Sequence, residues 1–105
     1  MFRVCALDEL KEGQSRGFTV AGIKVFVIRK HDQFYAYRNW CPHREIPLEW
    51  QSDQFLDESN NLIRCSSHGA LFLIENGECI SGPCEGDALQ KLDVQIKEDS
   101  LWVDA

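Results

Sequence analysis

The chain has 105 residues, 44% of them apolar, with 17 acidic against 11 basic side chains and a net charge of −6 at pH 7. That length suits one domain with a buried core, spanning residues 1–105, and the acidic balance argues against nucleic acid or an anionic membrane as a partner. No run of 18 apolar residues could cross a bilayer, and MFRVCALDEL lacks the apolar stretch and small-residue cleavage site of a secretion signal, so the expected location is cytoplasmic.

Short β-type runs separated by turn signals predict an all-β sandwich or barrel. Phe2 to Leu7 reads as a first strand, and Asp8 to Gly13 as a single helical turn with an Asp N-cap and a Gly stop. Phe18–Val20 and Ile23–Arg29 flank Ala21-Gly22, a two-residue hairpin signal. After the polar turn Lys30-His31-Asp32, residues Gln33 to Arg38 alternate, with Phe34 and Ala36 on one face and Tyr35 and Tyr37 on the other.

Asn39 then opens a turn into Trp40-Cys41-Pro42-His43, where Pro42 excludes a regular internal strand. Residues 51–61 (QSDQFLDESNN) read as a polar excursion between strands. Leu62–Arg64 is a short strand leading into Cys65-Ser66-Ser67-His68-Gly69. Ala70–Glu75 and Glu78–Ile80 flank the turn Asn76-Gly77, and 81–86 is a loop. Leu92–Ile96 and Leu101–Val103 form the last hairpin, turning at Glu98-Asp99-Ser100.

The chemistry lies in Cys41-x-His43 and Cys65-x-x-His68, separated by 21 residues. Each pair falls at a predicted hairpin tip, so two loops could bring one thiolate and one imidazole each to a shared metal centre. Five cysteines with no export signal point to metal or redox chemistry before structural disulfides. A tetrahedral Cys₂His₂ zinc site is the bland alternative, although zinc modules usually open with C-x₂₋₄-C.

CPHREIPLEW and IRCSSHGALF resemble the two cluster loops of the Rieske [2Fe–2S] family, and NGECISGPCEGDAL resembles its following hairpin and proline-bearing third loop. The resemblance implies an antiparallel β-sandwich with an inserted cluster-binding subdomain at approximately 39–83. It also implies one [2Fe–2S] cluster, held by Cys41 and Cys65 on one iron and by His43 and His68 on the other. Two ferric ions, two sulfides, two thiolates and two neutral imidazoles sum to zero charge, against −2 for four thiolates. The neutral centre accepts an electron more readily.

High-potential members of the family carry a Ser after the second His-Gly and a Tyr two residues beyond it. Here Ala70 and Phe72 occupy those places, and the positions of the family's inter-loop disulfide are Ile46 and Ser67. The expected potential is therefore at the low end, nearer about −150 mV than +300 mV. Glu45 stands where the family often has Gly, Ser66-Ser67 replaces its usual Pro-Trp, and the spacer is longer than common.

The resemblance implies a monomeric ferredoxin, not an enzyme by itself, passing single electrons between a reductase and an oxygenase or other redox enzyme. The alternatives are an accessory or redox-sensing subunit bound to one enzyme, and a zinc-stabilised interaction domain. Several residues keep two readings. Cys79 and Cys84 are read as reduced thiols near the third loop, with a small disulfide as the alternative. Cys5 is expected to be a buried hydrophobe and His31 a solvated turn residue. Trp40 and Trp50 could dock a partner or pack in the core, and Arg44 could make a rim contact. Gly82 and Pro83 could limit water at the cluster or simply shape a turn. The acidic surface could steer a basic partner or merely maintain solubility.

Overall fold

The computed structural model describes residues 1–40, 55–65, 70–82 and 86–104. Nine strands are present among them: β1 (Phe2–Ala6), β2 (Ser15–Val20), β3 (Ile23–Lys30), β4 (Gln33–Arg38), β5 (Leu62–Arg64), β6 (Leu71–Leu73), β7 (Cys79–Ser81), β8 (Lys91–Lys97) and β9 (Ser100–Asp104). They form an antiparallel six-stranded sheet in the order β1-β9-β8-β4-β3-β2 and a smaller antiparallel sheet, β5-β6-β7. The all-β expectation is met, and the small sheet lies in sequence between β4 and β8 of the large one.

The run Val25-Phe26-Val27-Ile28 in β3 explains how the two sheets pack. All four residues are fully buried, and the two-residue period of a strand sends them to opposite faces. Val25 and Val27 join Phe34, Ala36, Leu92, Leu101 and Val103 in one core. Phe26 and Ile28 join Tyr37 in a second core with Ile63, Phe72 and Ile74 from the small sheet and its turn. The predicted alternation in β4 is thus a sorting between two cores, because Phe34 and Ala36 face the first and Tyr37 the second.

Tight turns join the long strands. Ala21-Gly22, His31-Asp32 and Glu98-Asp99 all have positive φ at both positions, the backbone hand that suits a two-residue hairpin. The carboxylate of Glu12 accepts the N–H groups of His31 and Asp32 at 2.7 and 2.9 Å, which holds that turn. The Arg29 guanidinium donates to the carbonyls of Leu7 and Leu10 at 3.4 and 3.0 Å and meets Asp32 at 2.6 Å, tying the N-terminal segment to β3.

Two local expectations change. The helical turn is a 3₁₀ turn at Leu7–Glu9 with Ala6, not Asp8, as its N-cap. Ala6 ends β1 in an extended conformation, and Glu9 reaches back to accept its N–H at 2.6 Å, so the N-cap falls two residues earlier. In the expected polar excursion, Phe55 is fully buried, its ring stacked on Phe26 with centroids 4.4 Å apart. Leu56 is also buried and bridges Ile63. The segment after them is polar: Asp57 accepts the N–H groups of Asn61 and Leu62 and closes the turn into β5.

Candidate metal centre

β4 ends at Arg38, and the chain bends at once, because the Trp40 N–H donates to the Arg38 carbonyl at 2.9 Å. The Asn39 N–H donates to the Lys24 carbonyl at 2.9 Å and holds this departure point against β3. Cys41 and His43 follow but lie outside the described residues, as does His68. Cys65 is described. It sits directly after β5, fully buried, and its N–H donates to the Ala70 carbonyl at 2.8 Å, closing the base of a hairpin around 66–69. Ala70 and Phe72 are buried in the same core and supply no side-chain hydrogen-bond donor.

The donor set suits a metal cofactor. Cys65 is a cysteine buried in an apolar core, and a thiolate there is costly unless a cation compensates its charge. Among the described residues no three His, Cys, Asp or Glu side chains gather as ligands, since three of the four expected donors fall outside them.

Gly82, just past β7, comes close to the same hairpin. A Cβ at this position would lie 3.0 Å from the Ala70 Cα and 3.1 Å from its Cβ, and φ is +101°. The third loop therefore leaves β7 against the base of the Cys65 hairpin, with no room for a side chain. Gly77, in the turn before β7, is confined in the same way, since a Cβ there would meet the Tyr37 ring at 2.8 Å. Tyr37 itself donates its hydroxyl to the Ile74 carbonyl, and burial pushes its pKa far above the usual tyrosine range, with Glu75 adding to the shift. Sequence reasoning missed these supports. Gly77 read only as a turn signal and Gly82 as a turn or a cluster-lining residue, neither as a close approach, and the Tyr37 hydroxyl finds a partner 37 residues away.

Of the other singled-out residues, Cys5 is buried as expected, and burial, followed by the charge of Glu9, raises its thiol pKa. His31 is an exposed turn residue. Trp40 is 40% exposed, so core packing does not describe it. Cys79 is disulfide-bonded, which corrects its reading as a reduced thiol. Its backbone N–H pairs with the Asp87 carbonyl at 3.0 Å, so the chain beyond β7 doubles back alongside Cys79. Cys84, Pro83, Arg44 and Trp50 lie outside the described residues.

The sequence profile of the Rieske [2Fe-2S] domain matches residues 1–96. The chain belongs to that family. As a Rieske domain it carries one [2Fe–2S] cluster as its cofactor. Human apoptosis-inducing factor 3 is 31% identical over 102 residues, 97% of this chain but 16% of the relative, so the chain spans about a sixth of that protein. The ferredoxin of carbazole 1,9a-dioxygenase from Nocardioides aromaticivorans IC177 superposes with a TM-score of 0.79 at 31% identity, covering 96% of this Rieske chain and 93% of the other. A second structure, a complex of reduced oxygenase and oxidized ferredoxin in carbazole 1,9a-dioxygenase, matches with a TM-score of 0.79 at 29% identity, over 98% and 100% of the two chains.

Proposed function

We propose that this Rieske domain is a one-electron carrier, a ferredoxin that takes electrons from a reductase and gives them to an oxygenase or another redox enzyme. The observation that carries this reading is the near end-to-end match to a ferredoxin of a dioxygenase system, over 93% of that chain. Cys41 and Cys65 hold one iron and His43 and His68 the other, and the cluster supplies reversible one-electron chemistry. The protein's own contribution is positional. The Cys65–Ala70 backbone bond keeps the second ligand loop closed, and buried Ala70 and Phe72 withhold side-chain donors from its surroundings. Without side-chain donors at these two positions to stabilise added negative charge, the potential stays low in the Rieske range. The imidazoles of His43 and His68 lose a proton more readily on the oxidised centre, so the potential falls at alkaline pH.

The carrier works in the cytoplasm, as a monomer and without catalysing a reaction alone. Among the described residues no helix is long and apolar enough to cross a membrane. The test is the visible and EPR spectrum of anaerobically purified protein before and after dithionite, with iron and sulfide counted. Two irons, two sulfides and a reduced signal with average g below that of all-cysteine clusters are expected, and Cys65→Ser removes the signal. A colourless protein with one zinc, not converted by iron and sulfide, would refute the assignment.

The match to apoptosis-inducing factor 3 favours a second reading, in which the domain serves as a redox module of a larger protein or complex. Such a module co-purifies with its enzyme at fixed stoichiometry, whereas a shuttling ferredoxin does not.

A further inference from the structure

Although the chain carries a net charge of −6, its charges are not evenly spread. The turns at one end of the six-stranded sheet hold Asp8, Glu9, Glu12, Asp32, Glu98 and Asp99, interleaved with Lys11, Arg29, Lys30 and Lys97. The opposite end, where β4 runs out toward the ligand segments, presents Lys24 and Arg38. Both are exposed, and among the described residues neither forms a salt bridge. By strand alternation Ile23 and Arg38 share one face at this end and Lys24 lies on the other, so the two cations stand on either side of the sheet's end.

Two large apolar side chains share this basic end, Ile23 at 38% and Trp40 at 40% exposure. Val25 pairs with Arg38, and the Asn39 N–H bonds to the Lys24 carbonyl, so β3 and the β4 exit bring all four residues to one end of the sheet. The Arg38 guanidinium lies over the Trp40 ring, 5.7 Å from its centroid, and restrains the indole while leaving it accessible. An exposed tryptophan held by an arginine is the type of group that dominates binding at interfaces. Trp40 is also one peptide unit, about 3.8 Å between Cα atoms, from Cys41.

We infer that Ile23, Lys24, Arg38 and Trp40 form the docking surface for a redox protein whose electron-exchange site is an apolar spot ringed by carboxylates. This rests on the carrier reading and names the partner's chemistry. It runs against what the net charge alone suggests, because the exposed cations beside Trp40 set the local charge there. In the transfer, the reduced cluster loses one electron and the partner's oxidised centre gains it.

The probe is ferricytochrome b5, a haem protein with carboxylates around its haem edge, mixed with the dithionite-reduced protein in a stopped-flow instrument across a range of ionic strength. A neutral quinone is the control acceptor. With wild type, the rate to the cytochrome falls as salt rises. Lys24→Glu/Arg38→Glu slows it at low salt by about 10- to 100-fold and inverts the salt dependence. Lys11→Glu/Lys97→Glu makes the same change in net charge away from this surface and leaves the rate near that of wild type. Trp40→Ala slows the cytochrome reaction about tenfold and leaves quinone oxidation unchanged.

A wild-type rate that rises with salt, or equal effects of the two charge-reversal pairs, would overturn the surface. So would slowing of the quinone reaction by Trp40→Ala, which would trace the effect to the cluster. Dimerisation of wild type but not Trp40→Ala would assign the face to a second copy instead. Failure to reduce even the quinone would remove the carrier reading, and the docking surface with it.

Discussion

Replacing Gly82 with Ala tests whether the third loop supports the cluster hairpin. The substitution forces an L-residue to φ +101° and drives a Cβ to 3.0 Å from the Ala70 Cα, a backbone atom that cannot swing aside. The dihedral alone costs about 1–3 kcal/mol. The contact is closer than the roughly 3.5–4.0 Å optimum for carbon atoms, and a compressed core contact adds about 1 kcal/mol or more. A total of about 2–4 kcal/mol raises the population of the opened loop by roughly 30- to 1000-fold. If loop opening precedes cluster loss, bleaching of the visible spectrum at a fixed elevated temperature accelerates by that factor. Gly86 is the internal control. Its φ is +93°, but a Cβ there meets nothing within 4 Å, so Gly86→Ala carries the dihedral cost without the clash. Gly82→Ala must therefore bleach faster than Gly86→Ala. Equal rates for the two, or a Gly82→Ala rate within about threefold of wild type, would refute the reasoning.

Phe55→Ala removes a fully buried ring stacked on Phe26 and is expected to destabilise the fold by about 3–5 kcal/mol, read from the denaturant midpoint by circular dichroism. Tyr37→Phe leaves the buried Ile74 carbonyl without its donor and costs about 1–2 kcal/mol in the same assay. Because the folded pKa of Tyr37 is raised, its contribution is fully present below the unfolded value near 10 and is lost as pH climbs beyond it. In Tyr37→Phe the alkaline fall in stability should therefore be shallower than in wild type. Glu12 has the opposite sign: the backbone N–H groups of Asp32 and His31 lower its pKa, so its contribution is present above the unfolded carboxylate value and lost as pH falls. Carboxyl-carbon NMR should find Glu12 titrating below the ordinary glutamate value.

Much of the fold was legible because alternation and turn chemistry are local signals. Ala21-Gly22, the stretch 33–38 and the last hairpin all appear where the sequence predicts them. What escaped depends on distance along the chain. Phe55 and Leu56 are hidden in a polar stretch, and their burial follows from Phe26 and Ile63, which no local window contains. The short 3₁₀ turn shifted because one side chain, Glu9, captured the Ala6 N–H. At the site, the Cys-x-His and Cys-x-x-His spacing identifies the family. The close approach of Gly82 to Ala70 has no sequence signature, because a glycine that avoids a clash reads like one that makes a turn. The exposure of Trp40 was equally unreadable, since a tryptophan beside a strand end is compatible with core or surface.

Strand β3 lends Val25 and Val27 to one core and Phe26 and Ile28 to the other, with no solvent-facing residue among the four. It is a party wall between two rooms. The small sheet and the six-stranded sheet cannot melt separately without stripping one side of that wall, so they form one cooperative unit. A Rieske domain built this way loses its cofactor site and its scaffold together, and a weakened packing contact in the region remote from the cluster shortens the life of the centre it never touches.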